Sequence, residues 1–232
     1  MPLPKHKFPT YQLKLPASEQ KISYRPWVSV EHKKLLTALV LKDESNIQEA
    51  MIDILEGCTF NQLNIRELPV VDFEVLFINV KAKSKGEKIE LTYNATVDKD
   101  GVDQVIPVEL DLMSVEVTKF PNREIYFSDG LGIKMKFPTV ETAKKIDQET
   151  DDFVKIALLV DFVFDKDNIY SSTDYTITEL ADWLKGLVDK DVDKLIEFFK
   201  NLPTIKTAIE FTVGIPPNPK SIELRGLSTF FL

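Results

Sequence analysis

The stretch VVDFEVLFINVKAKSKGEKIELTYNATV, Val70 to Val97, changes period in its middle, and that change decides the fold class. Phe73, Leu76, Phe77 and Val80 recur at three- and four-residue intervals, which puts them on one face of a helix ending near Lys85 and Gly86. From Ile89 the period falls to two. Ile89, Leu91, Tyr93, Ala95 and Val97 alternate with polar residues, Asp98 to Gly101 turns the chain with Gly101 free to take positive φ, and the chain returns as a strand from Val105 to Val117, with Val108, Leu110 and Leu112 alternating. A helix that runs into a β-hairpin with one wet face indicates an α+β protein.

Upstream, Met1 to Lys21 reads as a proline-punctuated arm leading into alternating Tyr11, Leu13 and Leu15, an extended segment that pairs with Ile22 and Tyr24. Two helices follow. Ser29 is the expected N-cap of the first, with Glu31 in its positive first turn and Leu35, Leu36, Leu39 and Val40 as its apolar stripe. Ser45 and Gln48 are spaced as a capping box for the second, which carries Ile47, Ala50, Met51, Ile54 and Leu55 and is expected to stop at Gly57.

Downstream, Glu124 to Phe127 and Ile133 to Phe137 read as a short strand pair around Ser128-Asp129-Gly130-Leu131-Gly132. The pattern turns helical from Thr139. One helix is expected between about Thr150 and Phe164, with Val154, Ala157, Leu158, Asp161 and Phe162 on one side. Thr176 and Glu179 form a second capping box ahead of Leu180, Trp183, Leu184 and Leu187. Another helix spans about Val192 to Asn201, and Pro203 ends it. Alternation from Ile205 to Val213, a PPNP turn, Ser221 to Arg225 and the apolar tail LSTFFL close the chain. The expected divisions are an arm and N-terminal helical unit (1–88), a central β-hairpin region (89–138) and an acidic C-terminal helical unit with a terminal strand pair (139–232).

With 232 residues, 44% hydrophobic and 28% charged, the chain has the composition of a folded globular protein. Its net charge is −8, and between Asp147 and Glu197 there are 14 acidic against 5 basic residues. Such a segment repels nucleic acid, and no Lys/Arg cluster interleaved with aromatics appears elsewhere. No window approaches the ~18 apolar residues of a membrane span. Cys58 is the single cysteine, which excludes an intrachain disulfide and a multi-cysteine zinc site and points to a reducing compartment.

Catalytic chemistry needs convergent groups, and the sequence offers none at a recognisable spacing. His6 lies in the arm and His32 on a helix, where it reads as an exposed residue, and neither has a metal-ligand spacing. Cys58 reads as a small buried packing residue. Asp165-Lys166-Asp167-Asn168 begins like a calcium loop but continues with Ile169 and Tyr170 where an EF-hand needs a ligand and a glycine. With eight glycines in the chain, there is no GxGxxG, P-loop, GxSxG or HExxH. The expectation is therefore an interaction protein with no catalytic residue, metal or cofactor.

YRPW at Tyr24 to Trp27, Val30-Glu31-His32-Lys33 with Leu35, Leu36 and Ala38, a second helix ending at Cys58, and Leu68-Pro69 form an ordered set. With Asp72, Glu74, Leu76, Phe77 and the run VKAKSKGE at Val80 to Glu87, the set resembles the baseplate hub assembly proteins of T4-like tailed bacteriophages over about the first 90 residues. In some members of that family the segment after the KSxGE run carries cysteines, which implies a small metal-stabilised hairpin there. LTYNATVDKDGVDQVIPVEL has none, so a zinc site does not carry over. The resemblance implies a non-enzymatic assembly factor that binds phage baseplate hub or tape-measure proteins in the host cell cytoplasm. A stoichiometric baseplate or tail subunit retained in the virion, a hub-associated peptidoglycan hydrolase, and an oligomer remain open.

The candidate partner-binding residues are Arg25, Trp27, Leu227, Phe230, Phe231 and Leu232. Arg25, held extended by Pro26, has a guanidinium suited to clamp a carboxylate bidentately, on a neighbouring helix or on a partner. Trp27 is expected to cluster with Phe73, Leu76 and Phe77. The four apolar residues of the tail either dock into this chain's own core or insert into another protein.

Overall fold

A computed structural model of the chain describes residues 3–4, 6–41, 43–96, 103–213 and 218–230. The fold is α+β, and it divides into two compact units. The first comprises Met1–Ile65, Val71–Thr118 and Thr204–Leu232, and the second Arg66–Val70 and Lys119–Pro203.

The first unit starts with β1 (Tyr11–Lys14) and β2 (Lys21–Tyr24), which pair antiparallel with Tyr11 opposite Tyr24. Helices α1 (Ser29–Leu41) and α2 (Glu44–Cys58) follow. The cap of α2 is Asp43, whose carboxylate accepts from the Ser45 and Asn46 N–H groups, instead of the Ser45–Gln48 box expected from spacing. An aspartate two residues before Ser45 reaches the same orphan donors and carries the charge that a helix N-terminus favours. Nor does Gly57 stop α2. The helix runs through it to Cys58, and the chain turns at Phe60 and Asn61, both with positive φ.

Helix α3 (Val70–Lys85) is buried on more than one side: Val71, Phe73, Leu76, Phe77, Ile78, Val80 and Ala82 are all inaccessible. A helix apolar around most of its circumference belongs inside a core. It ends as expected, at Gly86 with φ +112°. Strands β3 (Lys88–Thr96) and β4 (Asp103–Asp111) then form the expected hairpin, in register from Lys88 opposite Asp111 to Thr96 opposite Asp103. The expected turn at Asp98 to Gly101 lies outside the described residues. Along β4, Ile106, Val108 and Leu110 are buried while Val105, Pro107 and Glu109 are exposed, which is the period-two pattern of a sheet with one wet face. The strand expected from Val105 to Val117 does not run through: β4 stops at Asp111, whose carboxylate accepts the Met113 N–H and caps a 3-10 turn at Leu112–Ser114, and β5 (Glu116–Val117) is a separate strand.

The second unit is a four-stranded antiparallel sheet under helices. Strands β6 (Glu124–Tyr126) and β7 (Gly132–Met135) form the first pair, and α4 (Val140–Gln148) and α5 (Asp152–Ala157) follow. Strands β8 (Val160–Phe164) and β9 (Ile169–Ser171) complete the order β6-β7-β8-β9. The single helix expected from about Thr150 to Phe164 is therefore a short helix and a strand. The run Val160-Asp161-Phe162-Val163-Phe164 is β-branched and aromatic apart from Asp161, and pairing with β7 decides its state over a helical spacing that fits it as well. Gly132 is required where β7 meets β8, since a Cβ there would lie 2.2 Å from the Phe164 ring.

Helices α6 (Ile177–Leu184) and α7 (Asp189–Lys200) complete the unit, and the Thr176–Glu179 capping box is present as expected. Ile133, Met135, Leu159 and Val163 pack with Leu180, Leu184, Leu195 and Phe198 to form the core. The chain then returns to the first unit with β10 (Ile205–Val213) and β11 (Asn218–Arg225), which make a three-stranded sheet in the order β11-β10-β5. A 3-10 turn, Leu227–Phe230, follows. Among the described residues no helix is long and apolar enough to cross a membrane.

Candidate functional site

Arg25 leaves β2 and makes a bidentate pair with Glu31 of α1, Nη2 to Oε1 at 2.7 Å and Nη1 to Oε2 at 3.0 Å. Its backbone N–H donates to the carbonyl of Cys58 at the end of α2. One residue thus ties the start of α1 to the end of α2. Gly57 makes room for the pair, because a Cβ there would come within 2.7 Å of the Glu31 carboxylate. Glu31 also accepts the Val28 N–H at 2.7 Å, the carboxylate half of a capping box. Burial pushes the Glu31 carboxyl up, but the Arg25 hydrogen bond, the Val28 N–H and the charges of Arg25 and Lys34 outweigh it and hold it below the usual range. Cys58 is buried beside this pair, and burial pushes its thiol up to about 12, which suits the packing role read from the sequence.

Trp27 donates its backbone N–H to Ser84 Oγ at 2.9 Å and packs its ring on Phe77, centroid to centroid 5.8 Å. Phe73, Leu76 and Phe77 are buried on the same helix. His32 is not the exposed residue the sequence suggested. Its ring stacks on Trp27 at 5.7 Å and 9°, and burial, with Lys85 nearby, lowers its proton affinity. A flat ring three residues into α1 comes within reach of an indole just ahead of the helix, so stacking covers it.

These contacts fix the inner side of α1 and leave its outer side open. Leu35 and Ala38 are buried, whereas Val30 and Leu41 are each 65% exposed, Val40 is 80% exposed and Leu36 48% exposed. Lys33 and Lys34 share this outer arc, and Lys34 pairs with Asp53 of α2 at 3.2 Å. The outer arc of the helix therefore mixes four exposed apolar side chains with lysines.

The described tail residues dock within the chain. Phe230 is 1% exposed and Leu227 is buried, so both take the first of the two alternatives read from the sequence. Phe231 and Leu232 lie outside the described residues. Two acids of α3, overlooked as site residues, hold backbone: Glu74 at the tail and Asp72 at the arm. Glu74 is buried and accepts from Thr204 Oγ1 (2.9 Å), the Ile205 N–H (3.1 Å) and the Leu227 N–H (3.1 Å). Asp72, fully buried, accepts the Ala17 and Ser18 N–H groups at 2.7 and 2.8 Å. Burial raises the Glu74 carboxyl above its ordinary range against the pull of those three donors. Lys81 donates to the Phe230 carbonyl at 2.9 Å, and burial pushes its ammonium down to about 8. Two acids inside an otherwise apolar helical run were the signal that carboxylates are buried there.

In the second unit Asp191 is buried and accepts from Ser128 N (3.0 Å), Ser128 Oγ (2.8 Å) and Lys194 Nζ (2.8 Å), while Lys194 also donates to the Tyr126 carbonyl. The Lys194 hydrogen bond, with those of Ser128, holds its carboxyl at about 2. The calcium-like run at Asp165 is a turn between β8 and β9, where Asp165 accepts the Asp167 and Asn168 N–H groups and the Tyr170 hydroxyl. Among the described residues no group of three or more His, Cys, Asp and Glu side chains is arranged to hold a metal ion.

Among the described residues, Arg25, Glu31, Asp72, Glu74 and Asp191 hold backbone or a neighbouring side chain. The outer side of α1 leaves Val30, Leu36, Val40 and Leu41 exposed. A family model described as T4 bacteriophage base plate protein matches residues 8–232. No curated protein and no solved structure matches the chain.

Proposed function

As the chain belongs to the T4 bacteriophage base plate protein family, and so has a structural or assembly role in a phage baseplate, we propose that it is a non-enzymatic hub assembly factor. It holds a hub or tape-measure protein during tail initiation in the host cell cytoplasm. The observation that carries this reading is the outer face of α1, where Val30, Leu36, Val40 and Leu41 are exposed on a helix whose other face is already packed. Exposed apolar side chains grouped on one arc and rimmed by polar residues mark a surface that a partner covers. Arg25–Glu31 and Trp27–His32 present that face and are positioning contacts. Arg25 and Trp27 thus act on the partner through α1.

Quantitative mass spectrometry of purified virions, set against isolated tail-assembly intermediates, tests this role. An assembly factor is enriched in the intermediates and scarce or absent in virions. Stoichiometric copies in virions would make it a permanent subunit, and clearing of peptidoglycan by the purified protein in a zymogram would make it a hub-associated hydrolase.

A further inference from the structure

The second unit carries a groove that the hub reading does not use. It lies between the β8–β9 hairpin and α6, has a volume of about 520 Å³, and its lining includes Tyr170, Tyr175 and Trp183 over buried Val163, with Asp165 and Glu179 among the lining residues. Most of the area it offers is apolar, yet the only charges among its lining residues are negative. The segment around it, Asp147 to Glu197, has 14 acidic against 5 basic residues.

The groove is preformed. Tyr170 donates its hydroxyl to Asp165 at 2.9 Å, and Asp165 is itself held by the Asp167 and Asn168 N–H groups at 2.8 Å each. Glu179 is fixed by the backbone N–H and hydroxyl of Thr176, at 2.7 and 2.8 Å. Trp183 rests against Phe127, centroids 6.1 Å apart. Neither carboxylate has to reorganise when a ligand enters, and both keep their charge, since these hydrogen bonds lower both carboxyls. Tyr170 and Tyr175 stay exposed, with Ile169 and Ile177 exposed next to them in the chain.

Aromatic faces beside fixed carboxylates recognise a cation on an alkyl stem, and the apolar floor takes an uncharged side chain next to it. We propose that this groove docks a segment of a partner protein that carries an apolar anchor flanked by lysine or arginine. The negative field speeds encounter with such a segment and disfavours acidic ones, while the aromatic contacts set how long it stays. A purely apolar occupant would not need the acidic surroundings. This site is separate from the α1 face, and the inference does not rest on the hub reading.

The test uses the purified full chain and two fluorescein-labelled, end-blocked peptides, KKLFKK and EELFEE, followed by anisotropy. KKLFKK binds saturably, EELFEE binds at least about tenfold more weakly, and added salt weakens KKLFKK. Tyr175→Ala weakens KKLFKK by about tenfold with no change in melting temperature, since Tyr175 is exposed, whereas Val188→Ala, at an exposed residue outside the groove, leaves binding unchanged. Quenching or shift of Trp183 emission on binding, absent in Tyr175→Ala, is the second readout. No saturation by about 1 mM peptide, equal binding of the two peptides, or unchanged binding by Tyr175→Ala would each overturn the proposal.

Discussion

Asp191 shows how one charged side chain organises a turn. Its carboxylate takes two donors from Ser128 and one from Lys194, so the loop between β6 and β7 is fastened to α7 by a buried ion. Because its folded carboxyl sits at about 2, below the ordinary 3.8, the stability it contributes is fully present above pH 4 and is lost as pH falls through about 2. Chemical denaturation of wild type and Asp191→Asn from pH 7 to pH 2 should therefore show a gap between the two that closes as the acid limit is approached. A gap constant over that range would mean that the variant loses packing and not the charged network. Nothing in the sequence marks Asp191 out among so many acids, because its partner Ser128 is remote in the chain. Arg25 was legible for the opposite reason: Pro26 fixes its backbone, and Glu31 lies at capping distance just beyond.

At the scale of elements, periodicity read the helices and strands where one face is buried and the other wet, as in α6, α7 and the β3–β4 hairpin. It failed at 150–164, where a five-residue run, aromatic and β-branched apart from Asp161, satisfies both periods and only pairing with β7 decides. Strand β5 has two residues and no alternation to read, yet it pairs with β10. The attachment of β10 and the tail to α3 was likewise illegible, since Glu74 bonds to backbone N–H groups, which every residue has. Glu74→Ala would strand the Ile205 and Leu227 N–H groups in the interior, at a cost on the order of 1–3 kcal/mol for each donor left unpaired. Hydrogen exchange should show these two amides losing protection ahead of those in α2. Unchanged protection at both would mean that Glu74 does not hold the C-terminal strands.

For the whole molecule, the chain leaves its first unit after Thr118 and returns to it at Thr204, with most of the second unit formed in between. The family match over residues 8–232 spans both units, so the baseplate role belongs to the chain as a whole and not to the N-terminal third in which the resemblance was first legible. We propose that this protein acts by holding another baseplate protein on α1. Leu36 and Val40 are exposed, and charged replacements there should change stability by no more than about 0.5 kcal/mol. The most direct measurement is affinity purification of the tagged full-length chain from infected cells, with wild type and Leu36→Glu/Val40→Glu compared by quantitative mass spectrometry at equal bait. Wild type should recover a hub or tape-measure protein, and the double variant should lose at least about nine-tenths of it while melting at the same temperature, a tenfold loss worth about 1.4 kcal/mol of binding. Equal recovery by the two baits, or a host DNA-binding protein as the main bait-dependent partner, would contradict the account.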